Sequence, residues 1–203
     1  MNNEILEYLD RLYPDPKCEL NYSKDYELLI ATLLSAQTTD KRVNKVTGVL
    51  FNKYDSLLKL SEAKISDIEN IIREIGTFRR KSIYVHEIAK KLVDDGYDYV
   101  PNDRIYIESL PGVGHKTANV FLSNIYNEQA IAVDTHVSRV SKRLGLANQD
   151  DSVEIIEKKL MKLVSRNRWS RTHHQLVLFG RYCCKAVNPK CEDCEIKKYC
   201  KYY

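Results

Sequence analysis

The chain has 203 residues, 43% of them hydrophobic and 30% charged, with 32 basic against 28 acidic side chains and a formal net charge of +4. That is enough chain and apolar content for one large domain or two small ones that fold unaided, and too little net charge to demand a nucleic-acid partner by itself. The most apolar segment, Leu28 to Ala36, falls far short of the ~20 residues that span a bilayer, and the opening Met1 to Ile5 has no basic region followed by an apolar stretch, so the expectation is a cytoplasmic protein without membrane anchorage.

Helical periodicity runs through almost the whole chain and strand signals are nearly absent, which predicts an all-α fold. Ile5, Leu6, Leu9 and Leu12 mark a first helix, Tyr26 to Leu34 a nearly buried one, and Val43, Val46, Thr47, Leu50 and Phe51 a third. Ser66 with Glu69 reads as a capping box for a helix that carries Ile68, Ile71, Ile72 and Ile75 and is ended by Gly76. Ile83, Ile88, Ala89, Leu92 and Val93 mark the next, stopped by Gly96. Later come a helix over 135–144 closed by Gly145, one capped by Asp151 or Ser152 with Ile156, Leu160 and Leu163, and one over 172–184. There is no internal repeat and no low-complexity linker.

Leu110-Pro111-Gly112-Val113-Gly114-His115-Lys116 is the most telling segment. Pro111 ends the helix before it, Gly112 and Gly114 permit backbone angles that other residues resist, and a new helix starts near His115. Two helices meeting at such a turn leave backbone N–H groups without intrahelical partners beside a positive dipole end, which suits a phosphate oxygen. Ala118, Phe121, Leu122 and Ile125 define the buried stripe of the second helix, and Lys116 lies roughly opposite it, projecting from the first turn. Eighteen residues after Lys116 stands Asp134, at a second helix entry, Val133-Asp134-Thr135-His136.

Cys184, Cys191, Cys194 and Cys200 follow a C-x6-C-x2-C-x5-C pattern within seventeen residues, close enough for four thiolates to hold one metal centre. Zinc and a 4Fe-4S cluster both accept four cysteines, although zinc knuckles usually present two Cys-x2-Cys pairs and only Cys191 and Cys194 form one here. A reducing compartment agrees with ligation over disulfides. Basic residues cluster at Arg79-Arg80-Lys81, at Arg139, Lys142 and Arg143, and at Arg166, Arg168 and Arg171 around Trp169, while acidic runs such as Glu62 to Glu74 lie elsewhere, a pattern suited to one phosphate-facing surface.

Leu110 to Ala118 together with Val133 to His136 resembles the helix-hairpin-helix and following aspartate of the endonuclease III family of DNA base-excision glycosylases. The likeness extends from Leu33-Leu34-Ser35-Ala36-Gln37-Thr38-Thr39-Asp40 to the last cysteine. It implies two helical domains flanking a cleft: residues 21–133 as a helical barrel bearing the hairpin, and residues 1–20 with 134–203 as a second domain with a carboxyl-terminal cluster loop. Lys116 and Asp134 would face each other across that cleft. The resemblance further implies a 4Fe-4S cluster on Cys184, Cys191, Cys194 and Cys200, leaving Cys18 and Cys183 without a ligand role. Its partner would be double-stranded DNA containing damaged bases or abasic sites, met on the nucleoid by a monomer that needs no nucleotide cofactor.

The implied activity is that of a bifunctional glycosylase and abasic-site lyase for oxidised pyrimidines, with Lys116 as nucleophile through a Schiff base and β-elimination. A free lysine with a pKa of about 10.4 is uncharged only about once in 2,500 molecules at pH 7, so the site must lower that value or deprotonate the amine in the complex. Asp134 can stabilise positive charge on the sugar, activate the amine or a water, or cap a helix. Gln37 matches the family residue that fills the gap left by a flipped nucleotide. Gly112, Val113, Gly114 and His115 would grip the backbone, although His115 stands where the family commonly has arginine. Thr77, Phe78 and Arg79 follow Gly76 where the family often has a leucine wedge, and either Phe78 takes that part or insertion from this side is weaker. The competing functions are a monofunctional glycosylase of the same superfamily and a non-catalytic helix-hairpin-helix DNA-binding protein.

Overall fold

In the computed structural model, which describes Met1 and residues 3–203, the most apolar run of the sequence becomes helix α2 (Asp25–Leu34), after α1 (Asn3–Leu12), and every side chain from Tyr26 to Leu34 is buried. A continuous apolar run leaves no polar face for water, so α2 must sit in the middle of its neighbours. Burial of Leu28, Leu29, Ile30, Leu33 and Leu34 is worth about 1.5–3 kcal/mol per side chain relative to exposure. Eleven α-helices and no strand occur among the described residues, and the chain divides into two compact units: Glu19–Tyr126, and Met1–Cys18 with Asn127–Tyr203. No helix among the described residues is long and apolar enough to cross a membrane.

In the first unit, α2 packs on α3 (Asp40–Lys53), α6 (Phe78–Asp94) and α8 (His115–Ile125), while α4 (Leu57–Ser61) and α5 (Ile65–Ile71) lie against α6 and α7 (Arg104–Ser109) against α8. The N–H groups of Ser23 and Lys24 donate to the buried carboxylate of Glu27 at 2.7 and 3.2 Å, fixing the entry to α2. At the end of α6, Gly96 takes φ +83° and the Tyr97 amide reaches back to Leu92 O at 2.8 Å, so the predicted stop is a left-handed cap.

Two expectations here need correction. Ser66 does not cap α5: the helix begins at Ile65 after an extended Lys64 without a side-chain cap, and ends at Ile71, because Ile72 and Ile75 are buried through a tight turn in which the Ile75 amide donates to Ile72 O at 2.8 Å. Ile83 is 39% exposed, and the buried stripe of α6 is Lys81, Ser82, Val85, Ile88, Ala89 and Leu92.

The second unit packs α1, α9 (Thr135–Arg143), α10 (Val153–Leu163) and α11 (Trp169–Tyr182) around Leu9, Val137, Val140, Ile156, Leu160, Leu176 and Phe179. Ser152, one of the two predicted caps, accepts the Ile155 amide at the start of α10. Asp10 on α1 is the polar anchor of this unit. It accepts two hydrogen bonds at 2.9 Å from Arg168 Nη2, one at 3.0 Å from Arg171 Nε and one at 2.8 Å from Gln175 Nε2. Arg168 and Arg171 are therefore ion-paired, which takes these two out of the phosphate-facing group read around Trp169.

Candidate active site

The hairpin closes as its residues dictate. Leu110 and Val113 are buried, the Val113 amide donates to Leu110 O at 3.0 Å, and Gly112 takes φ +75°. A Cβ on Gly112 would lie 2.4 Å from a ring carbon of Tyr84, so glycine is required there both by backbone angle and by space. Gly114 is the extended cap of α8 and supplies no side chain, so no side-chain oxygen competes with a ligand for the leading amides. Val113, expected among the DNA contacts, has only 6% of its surface exposed and uses its amide inside the turn, so it shapes the hairpin without presenting a donor.

Lys116 stands in the first turn of α8 and is exposed, whereas Ala118, Phe121 and Leu122 are buried. The side of the helix opposite its core stripe thus carries the amine, as the periodicity predicted. His115, one residue earlier, is tied to its neighbours. Asn119 Oδ1 accepts from Arg104 at 2.9 Å, which orients Asn119 Nδ2 to donate to His115 Nε2 at 3.2 Å, and His115 Nδ1 donates to Glu108 at 3.3 Å. Those contacts join α7 to α8, so the ring stiffens the hairpin's flanks.

Gln37 and Thr77 sit in two loops of this unit, both exposed and both in the left-handed region, at φ +61° and +56°. A β-branched residue there is strained by about 1–3 kcal/mol unless its surroundings fix it. Gln37, Thr77 and Gly112 line one open pocket of about 340 Å³ together with Arg80, Lys81 and Tyr84. Three segments singled out separately in the sequence therefore share a surface. Phe78 and Arg79 lie beside it: Phe78 is half-buried, with the Arg79 guanidinium 5.2 Å from its ring centroid. Tyr84 was missed, and Lys81, read from the sequence as part of a phosphate-facing basic cluster, is turned inward. Lys81 is 6% exposed, and its Nζ donates to Leu34 O at 3.0 Å and to Ala36 O at 2.6 Å. Burial holds its pKa below the ordinary lysine range.

In the other unit, Asp134 caps α9, with Oδ1 accepting the Val137 amide at 2.7 Å. A carboxylate has about four acceptor sites, so this one bond leaves capacity for a second task. His136, half-buried in the next turn, accepts from Arg139 Nη2 at Nδ1 over 3.2 Å. Burial pushes the His136 pKa down, against the pull of Asp134, so the ring favours its neutral form. Arg139 also donates to Gly180 O at 2.7 Å and Cys184 O at 3.1 Å, and Arg143 to Lys185 O at 2.7 Å and Cys184 Sγ at 3.5 Å. These arginines brace the cysteine loop, which again corrects their assignment to a phosphate surface.

Cys184, Cys191, Cys194 and Cys200 line one pocket, walled also by Phe179 and Tyr202. Burial, then the neighbouring thiols, push the Cys194 thiol up, against a lowering hydrogen bond from the Ile196 backbone. Thiolates that oppose one another's ionisation call for a cationic centre between them. Four thiols lining one pocket suit a metal centre, and a 4Fe-4S cluster accepts one thiolate at each iron. Cys183 lines the same pocket, with the Tyr13 hydroxyl 3.5 Å from its sulfur.

The HhH-GPD superfamily base excision DNA repair protein profile matches residues 30–166, and the iron-sulfur binding domain of endonuclease III matches residues 184–200. The cofactor is a 4Fe-4S cluster. The chain is 43% identical over 196 residues to endonuclease III of Bacillus subtilis, covering 97% of this chain and 90% of that protein. It is similar to the solved structure of a trapped endonuclease III–DNA covalent intermediate, an estranged-adenine complex, with a TM-score of 0.92 and 44% identity over 99% of this chain and 96% of that one. A non-covalent endonuclease III–DNA complex gives a TM-score of 0.94 and 45% identity over 98% and 93% of the two chains.

Proposed function

The chain belongs to the endonuclease III family of the HhH-GPD superfamily of base excision DNA repair proteins, and from that premise we propose that it is a bifunctional DNA glycosylase and abasic-site lyase that removes oxidised pyrimidines from duplex DNA. The observation that carries the reading is an exposed lysine in the first turn of a helix whose leading amides and preceding glycine hairpin are shaped for a phosphate. A grip on the backbone beside an amine delivers that amine to the sugar.

The roles follow from what each group can do. The lone pair of Lys116 Nζ attacks C1′ of the extrahelical nucleotide, and the glycosidic bond breaks with its electrons going to the base, which takes up a proton. Opening of the sugar ring gives an imine between Nζ and C1′. Loss of a C2′ proton then expels the 3′ phosphate by β-elimination, and water releases the amine. Asp134, fixed by its capping bond, supplies a negative charge for the cationic sugar and an acceptor for the proton the amine must lose. Gln37 enters the gap in the duplex, where its amide meets the orphaned base. Thr77 is the exposed residue of the neighbouring loop, and its small side chain makes insertion from that side weak. Cys184, Cys191, Cys194 and Cys200 would hold the cluster, which when bound cross-links residues 184–200 through four iron–sulfur bonds; no step of the reaction runs through it. The protein acts as a monomer.

Incubation with a duplex carrying one oxidised pyrimidine, read both for free base and for a cleaved strand ending in an unsaturated aldehyde, tests this directly. Both products are expected. Base release without cleavage would point to the monofunctional glycosylase, and tight binding without either product to a non-catalytic DNA-binding protein.

A further inference from the structure

We propose that Lys81 is a positioning residue for nucleotide extrusion: a buried strut that sets the spacing of the Gln37 and Thr77 loops. Three observations converge on it. Its ammonium donates to Leu34 O, at the last residue of α2, and to Ala36 O, the carbonyl just before Gln37. Its own backbone amide donates to Thr77 O at 3.1 Å, in the first turn of α6. One residue is thus bonded to both loops, and both present a non-glycine residue in the left-handed region, at +61° and +56°. Such angles persist only where the surroundings over-determine them. The two loops also run close together: the nearest atom to a Cβ built on Gly76 is Gln37 O, at 3.8 Å.

Burying an ammonium is costly unless its protons are matched, and here two of the three meet carbonyls at the end of a helix, where a cation also complements the helix dipole. The same bonds exclude a second-nucleophile role. Nζ serves as a donor, and its protons point at the backbone carbonyls of Leu34 and Ala36. A surface lysine would have served DNA affinity alone; a buried one serves shape. Displacement of an inserting residue by about 1 Å is enough to lower rates on the order of 100-fold, so the strut lies on the path between fold and base flipping.

The inference rests on the proposed extrusion mechanism, and the test separates the two. Lys81→Met keeps the length and removes the donors. Borohydride trapping and strand cleavage are measured on an abasic site in a full duplex and on the same site in an unpaired bubble, where no insertion is needed to expose the sugar. The variant should lose about tenfold or more on the duplex and stay within about twofold of the parent on the bubble, and Lys81→Arg, which keeps the donors, should recover most of the duplex rate. Equal losses on both substrates, or none on either, overturn the strut. Absence of trapping by the parent protein on both would instead sink the catalytic reading. Far-ultraviolet circular dichroism checks folding, and should Lys81→Met not fold, Lys81→Gln, with a donor for one carbonyl, carries the same duplex-to-bubble comparison.

Discussion

Replacing Gly112 by alanine should damage the hairpin in two separable ways. The backbone there has φ +75°, which costs an L-residue roughly 1–2 kcal/mol relative to glycine. The new methyl would also lie 2.4, 2.7 and 2.9 Å from three ring carbons of Tyr84, an overpacking worth about 1–3 kcal/mol because that ring is half-buried and its hydroxyl accepts from Arg80 Nε at 2.5 Å. Together the loss is about 2–5 kcal/mol, or a fall of about 4–20 °C in melting temperature for a chain of this size. In a Tyr84→Ala background only the backbone part remains, so the two substitutions should be coupled by about 1–3 kcal/mol. Urea and thermal unfolding of the parent, both single variants and the double variant measure that cycle. A cost below about 0.5 kcal/mol for Gly112→Ala, or the same cost with and without Tyr84, refutes the reasoning.

Asp134→Asn keeps a good N-cap, so stability should stay within about 0.5 kcal/mol while base excision drops on the order of 100-fold; Asp134→Ala should lose about 1 kcal/mol as well. Retained excision in the asparagine variant would leave Asp134 with capping alone. Burial resists ionisation of Asp10, but hydrogen bonds from Gln175, Arg168 and Arg171 outweigh it and hold its pKa below the ordinary carboxylate range. Its stabilisation is therefore complete above about pH 4 and lost as pH falls through the lowered folded value. The stability difference between the parent and Asp10→Asn should be about 1 kcal/mol at pH 7 and shrink in acid; a gap that stays constant down to pH 2 contradicts the anchor. Cys194→Ser should lower bound iron and sulfide and open residues 184–200 to protease, and full retention of iron would remove Cys194 from the ligand set.

Much of this was legible because the signals were local. A continuous apolar run can only be a buried helix, and Pro111, Gly112 and Gly114 announce a turn whatever surrounds them. Lys116 followed from the phase of Ala118, Phe121 and Leu122. What escaped depends on partners distant in sequence. Nothing near Asp10 reveals that Arg168, Arg171 and Gln175 converge on it, so those arginines looked available for phosphate. Lys81 was placed with Arg79 and Arg80 on a phosphate-facing surface because the three are adjacent in sequence, yet stepping back four residues from the buried Val85 lands on Lys81 and puts it on the inner stripe. Ser66 and Glu69 had the right spacing for a cap, but the helix is set by which isoleucines must be inside. The short helices α4 and α7, at five and six residues, are too brief to show a period.

In the proposed mechanism one amine in the first turn of α8 forms the covalent bond to DNA. That step is tested most directly by reducing the reaction of the protein with an abasic duplex using borohydride, digesting the adduct and locating the modified residue by mass spectrometry. A single modified site at Lys116 is expected, with no adduct formed by a folded Lys116→Ala variant. Modification at another amine, or an adduct undiminished in that variant, would contradict it.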